Sequence, residues 1–249
     1  MSTPHTSAFR SRERVTVIAE SGIRTGPSFI LLHGIGMGRR YWGTLTDTLG
    51  RHGRVYALDL PGFGDAPEPE APLDLRQSGD LIAELVERLR IPNPVLVGHS
   101  MGAQVAVEAA ARHPELFERI VLISPTVNPE ERGARVQALR LLQDLWGAQV
   151  RVLGFGLVYY LKAGPRWYFK TLRTMMEHRV EETLPRVLAD TLVVRGSEDR
   201  LCPKSWVDRI VATVPRCRLV QVPGTGHEVM MTNGKTVGSL IARHAEGRR

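Results

Sequence analysis

Cysteine is scarce in this chain. Its 249 residues include two, Cys202 and Cys217, which form neither a disulfide framework nor a metal or redox pattern, and both are expected to be free and reduced. Lysine is scarce too: Lys162, Lys170, Lys204 and Lys235 are the only four among 33 basic residues. The net charge of +7 raises the question of a nucleic acid. The arginines are scattered, however, clustering only near the ends (Arg10, Arg12, Arg14; Arg243, Arg248, Arg249). No basic stripe interleaves with aromatics and no nucleic-acid motif occurs, so the charge reads as solvated surface and no nucleic-acid partner is expected. Long apolar runs are lacking: none reaches the roughly 18 residues that cross a bilayer. The polar start MSTPHTSAFRSRERVTV has no apolar core of a secretory signal. A cytoplasmic location without stable membrane insertion is therefore expected. Internal repeats and low-complexity tracts are absent as well.

What is present is ordinary globular composition, 43% hydrophobic and 24% charged, in a length that suits one large core with a small insertion. Short, nearly continuous apolar runs alternate with helical patterns, which predicts an α/β fold: a mostly parallel sheet with helices on both faces. The predicted strands are Val15–Glu20, Phe29–Leu32, Val55–Leu60, Val95–Val97, Ile120–Ile123, Leu192–Val194 and Leu219–Val222. Leu75, Leu81, Ile82, Leu85, Val86 and Leu89 recur at helical spacing and predict a helix over Asp74–Arg90. A second helix opens at Ser100 and stops at Pro114. From about Thr126 to Pro185 the alternation ceases. Seven of the 15 aromatics fall there: Trp146, Phe155, Tyr159, Tyr160, Trp167, Tyr168 and Phe169. This predicts a helical cap over residues 126–185 inserted into a core of 1–125 and 186–249; ordinary core aromatics, or a membrane-surface helix near Arg151–Lys162, are the other readings.

The chemistry concentrates in Gly98-His99-Ser100-Met101-Gly102, directly after a predicted strand and opening a helix. A serine on so tight a turn has strained backbone angles, and flanking glycines leave room for the crowded chains. The turn sets the hydroxyl at a helix N-terminus, where free N–H groups favour developing negative charge. A serine needs a base and the base an orienting carboxylate. Of eight histidines, His5, His52, His113, His178 and His244 read as solvated or capping, and His99 points off the turn. His227 follows Leu219–Val222 through Pro223-Gly224-Thr225-Gly226, at a strand's C-terminal end where open α/β sheets bind ligands. Asp199 lies just past Leu192–Val194 and 28 residues before His227; its neighbour Glu198 is the alternative acid. Ser124 ends the preceding strand, so no carboxylate competes there.

Donors for an oxyanion are expected from the backbone N–H groups of Ile35, in His33-Gly34-Ile35-Gly36-Met37-Gly38, and of Met101. A phosphate loop is the rival reading of that turn, but no Gly-Lys-Ser/Thr follows it. His33 and Gly34, with Tyr159, Tyr160 and Trp167 of the cap, are the expected substrate contacts, although His33 also suits holding the loop's shape.

The segments LLHGIGMGRRYW, LDLPGFG, VLVGHSMG, LVVRGSEDRLCP and PGTGH together resemble the α/β-hydrolase family, from about Phe29 to His227. The resemblance is to the capped, cofactor-free branch that includes carboxylesterases, C–C bond hydrolases and perhydrolases. It implies an eight-stranded sheet, a helical lid over a Ser100–His227–Asp199 triad, and neither metal nor cofactor. The expected activity is cleavage of a small apolar ester or thioester through an acyl-enzyme at Ser100. A C–C bond hydrolase acting on a vinylogous diketone is an alternative, weakened because Glu228 follows His227 where tryptophan is typical of those enzymes. A non-catalytic binding protein on the same scaffold is the third reading.

Overall fold

The computed structural model describes residues 4–133, 162 and 164–248. An eight-stranded sheet runs through it in the order β1-β2-β4-β3-β5-β6-β7-β8. The strands are β1 (His5–Ser11), β2 (Arg14–Gly22), β3 (Ser28–Leu32), β4 (Arg54–Asp59), β5 (Pro94–His99), β6 (Arg119–Ile123), β7 (Asp190–Gly196) and β8 (Cys217–Val222). β1 and β2 form an antiparallel hairpin and β2 pairs antiparallel with β4; all other pairs are parallel. The seven predicted strands match β2 to β8. β1 was not predicted, because HTSAFRS buries only Phe9 and Ser11 and so carries almost no apolar pattern.

The described helices are α1 (Gly43–Leu49), α2 (Leu75–Arg88), α3 (Met101–Arg112), α4 (Pro165–Glu177), α5 (Val180–Thr183), α6 (Lys204–Thr213), α7 (Val229–Thr232) and α8 (Gly234–Ala245). One face of the sheet packs against α2, α3 and α6, the other against α1, α7 and α8. That two-sided cover is why β3 and most of β5, β6 and β7 are buried along their length. α2 begins in a reciprocal cap: Asp74 accepts from the Gln77 N–H at 2.7 Å, and the Gln77 side chain accepts from the Asp74 N–H. Gly79 lets α2 close on α3, since a Cβ there would lie 2.8 Å from the Ala109 nitrogen.

Strand order reverses at β3. The chain goes from β3 outward to β4, then crosses back to β5 on the other side, and the β3–β5 pair aligns Leu32 with Gly98. Loops leaving these two C-terminal ends flank the crevice where such sheets bind ligands. β7 and β8 pair next to one another, Gly196 opposite Val222, so their following loops also meet at this edge.

Two histidines depart from the sequence reading. His178 and His244, expected to be solvated or capping, have covered side chains: the ring of the half-buried His178 places Nε2 3.4 Å from Glu108 Oε1 of α3, and the buried His244 donates from Nε2 to the Asp190 carbonyl at 3.1 Å. Their partners are tens of residues distant, which a local pattern does not reveal. No helix among the described residues is long and apolar enough to cross a membrane.

Candidate active site

Ser100 sits between β5 and α3 with φ 53° and ψ −114°, a conformation that costs an L-residue roughly 1–3 kcal/mol and is held only by its surroundings. The surroundings are tight. A Cβ on Gly98 would strike the Gly102 carbonyl, and one on Gly102 would strike the Leu32 carbonyl. The Ser100 N–H donates to the Ile123 carbonyl at 3.0 Å. As the first residue of α3, Met101 has an amide without an intrahelical acceptor. Gly34, in the loop after β3, passes against the same turn: a Cβ there would lie 3.3 Å from the Ser100 Cβ and 3.1 Å from His99 Nδ1.

Asp199 and His227 meet where the β7 and β8 loops touch. His227 Nδ1 lies 3.0 Å from Asp199 Oδ2 and 3.2 Å from Oδ1, with both side chains buried. The Cys202 N–H also donates to Asp199 Oδ1 at 2.9 Å. Burial alone would raise the Asp199 carboxyl, but the facing imidazole and these donors outweigh it and hold the group below its ordinary value. An ionised Asp199 keeps the proton on His227 Nδ1. Glu198, the alternative acid, is exposed. Gly196 is needed because any Cβ there would strike the Thr225 and Gly226 carbonyls of the histidine loop.

His99 and His33 have structural work. His99 Nε2 donates to the His227 carbonyl at 3.1 Å, and the two rings lie 4.8 Å apart. Burial, reinforced by the neighbouring His227, pushes His99 down to about 3, so it stays neutral beside the base. His33, expected to touch substrate, has no ring nitrogen to offer. Its Nε2 accepts from the Leu60 N–H at 3.0 Å and its Nδ1 donates to the Gly34 carbonyl at 2.8 Å, in a fully buried ring. The loop after β3 is thereby pinned to the end of β4, which is the loop-holding role of the two considered.

The α4 helix seats two aromatics on two core glycines. Trp167 lies on Gly62 and Tyr168 on Gly36, both glycines at positive φ. Lys162 reaches Asp65 by an ion pair, and Arg39 Nη2 reaches the same carboxylate at 2.7 Å. Lys162 first and Arg39 next hold that carboxyl at about 2. Beneath α4 lies a cavity of about 30 Å³ bordered by Leu60, Phe63, Leu75, Met101, Val105 and Trp167. Met101 thus joins the serine turn to an apolar space that Trp167 closes. Phe169, by contrast, is exposed. Tyr159 and Tyr160, with Trp146 and Phe155, lie outside the described residues.

Two neighbours of the site escaped the sequence reading. Thr126 Oγ1 lies 3.1 Å from Ser100 Oγ, and Arg195 binds the loop that carries Asp199. No motif marks Thr126. Arg195 had a signal, a cation inside an otherwise apolar strand.

A family model described as the alpha/beta hydrolase family matches residues 29–237. The chain belongs to that family. Among this hydrolase's relatives is a putative carbamate hydrolase, RutD, of Serratia proteamaculans, 23% identical over 251 residues covering 86% of this chain and 89% of that protein. A pimeloyl-[acyl-carrier protein] methyl ester esterase of Nitrosospira multiformis is 34% identical over 116 residues, 45% of this chain and 43% of that protein. A solved thermophilic esterase from Thermogutta terrifontis superposes with a TM-score of 0.82 at 21% identity, covering 98% of both chains. The hydrolase shares that fold, as the resemblance in its motifs implied.

Proposed function

We propose that this hydrolase cleaves small apolar esters or thioesters through an acyl-enzyme on Ser100, under a cap formed by residues 126–185. The observation that carries the reading is the buried Asp199–His227 pair at the sheet edge where the strained Ser100 turn also lies. Two relatives point the same way: RutD is a putative carbamate hydrolase and the Nitrosospira multiformis protein a methyl ester esterase, both activities that cleave next to a carbonyl.

In this reading Ser100 Oγ attacks the carbonyl carbon while His227 Nε2 takes its proton. Asp199 keeps the imidazole in the required tautomer and stabilises the imidazolium. The Ile35 and Met101 amides receive the oxyanion, and protonation by His227 releases the alcohol or thiol. Water then attacks the acyl group with His227 again as base. A serine-directed fluorophosphonate is expected to label the wild type at Ser100 and to leave Ser100→Ala unlabelled. Labelling that persists in that variant would overturn the assignment.

A further inference from the structure

We propose that Thr126 is a further catalytic residue, donating a hydrogen bond to Ser100 Oγ as that oxygen leaves the acyl group; this role rests on the acyl-enzyme reading above. The Thr126 hydroxyl lies 3.1 Å from Ser100 Oγ and is buried. Its place is set by the preceding carbonyl. Pro125 O accepts from Trp206 Nε1 at 3.0 Å and from the Cys202 thiol at 3.1 Å. Burial raises that thiol well above its ordinary value, so Cys202 remains a donor. The Cys202 N–H is also the donor on Asp199 Oδ1. Residue 202 therefore fixes the orienting acid with its backbone and, through Pro125, the position of Thr126 with its side chain.

The hydrogen bond acts on one half of the reaction. In acylation Ser100 Oγ starts as a hydroxyl, a good acceptor, and ends as an ester oxygen, a poor one. A donor aimed at it is already satisfied at the start and gains little in the transition state. In deacylation water attacks the acyl carbon and His227 takes a water proton. The carbon–Oγ bond then breaks, its electron pair goes to Oγ, and His227 returns the proton there. The oxygen changes from poor to strong acceptor, so the same donor binds the transition state more tightly than the acyl-enzyme. Thr126 transfers no proton; it stabilises the charge that gathers on Oγ before His227 neutralises it.

Thr126→Val deletes the hydroxyl with little change of shape, and Thr126→Ser keeps it. p-Nitrophenyl dimethylcarbamate places a carbamoyl group on an activated serine, and intact mass locates it. Release of p-nitrophenol measures the first half-reaction, and recovery of esterase activity measures the second. Loss of one neutral hydrogen bond corresponds to about a tenfold effect. Thr126→Val is expected to recover about tenfold more slowly while its carbamoylation rate stays within about threefold, and Thr126→Ser to resemble the wild type. Equal recovery in Thr126→Val and wild type overturns the role, as does an equal loss in both half-reactions. A wild type that takes no carbamoyl group on Ser100 overturns the acyl-enzyme reading and this role with it. Fluorophosphonate labelling of each variant to one equivalent shows that the turn is folded before the rates are compared.

Discussion

The guanidinium of Arg195 holds the backbone of Asp199: its Nη2 donates to the Asp199 carbonyl at 2.7 Å. The same side chain, buried at the end of β7, donates to the Cys202 carbonyl at 2.6 Å, the Ser197 carbonyl at 3.1 Å and Gln221 Oε1 at 3.0 Å. Three carbonyls of the acid loop and one side chain of β8 are thus gathered on a single planar cation, whose fork suits several acceptors at once.

Arg195→Met should therefore loosen the loop that aims the carboxylate at His227. Leaving buried carbonyls without donors is expected to cost about 2–3 kcal/mol of stability. kcat should fall more than KM rises, since the loop touches the proposed base and not the substrate. Arg195→Lys should recover part of both, because an ammonium reaches fewer acceptors. Urea titration together with steady-state kinetics checks this; a variant with wild-type kcat would show that the loop holds Asp199 unaided.

Asp199→Asn should lower kcat by about 10⁴, the loss expected when the imidazole takes the wrong tautomer. Glu198→Gln should cost little, because that side chain is exposed while Asp199 is buried against the ring. Ester kinetics on both variants decide between the two carboxylates. A reversed order would overturn the assignment.

Much of this was legible in the sequence because its physics is local. The Ser100 turn is dictated by close backbone approach at Gly98 and Gly102, and those glycines stand beside the serine in the chain. Strands β3 to β7 announce themselves because burial on both faces demands continuous apolar runs, and β2 and β8 because their apolar residues still pack on the helices to either side. β1 did not, as an edge strand with two buried side chains needs no such run. Thr126, Arg195 and the buried ring of His178 act through partners brought together by folding: Thr126 meets Ser100 26 residues back, and His178 meets Glu108 across α3. The two roles open to His33 could not be separated for the same reason. Its place in the loop after β3 was visible, but the Leu60 N–H that occupies its Nε2 comes from the residue just past β4, 27 positions on.

Acidification should destabilise the fold before its carboxylates titrate. Burial holds His33, His99, His178 and His244 below the ordinary imidazole value, His99 at about 3. A histidine whose folded pKa is depressed contributes fully above its unfolded value of about 6.5 and loses that contribution as pH falls toward the folded value, since only the unfolded chain takes up the proton. Stability should thus decline from about pH 6.5 downward, by up to about 1.4 kcal/mol per pH unit for each such histidine. Urea unfolding between pH 7 and 4 measures the slope. His99→Gln should make it shallower by up to one proton, and an unchanged slope would remove His99 from the account.

The acyl group should be selected by the apolar space that Met101 shares with Trp167. Leu60, Phe63, Leu75 and Val105 are among its other walls, and its volume of about 30 Å³ exceeds the roughly 10–15 Å³ that one water needs. A methylene that fits adds about 0.8 kcal/mol, roughly fourfold in binding. For uncharged p-nitrophenyl esters kcat/KM should therefore rise from acetate through short acyl chains and fall once the chain outgrows the space. Trp167 is the wall most readily removed. It comes from α4 and rests on Gly62, whereas Met101 belongs to the serine turn itself. Trp167→Ala should move the optimum to longer chains while leaving acetate turnover within a few-fold of wild type. An optimum that stays put would mean that the acyl group lies elsewhere. A vinylogous diketone that outran every ester on the same preparation would transfer the activity from ester to C–C bond cleavage.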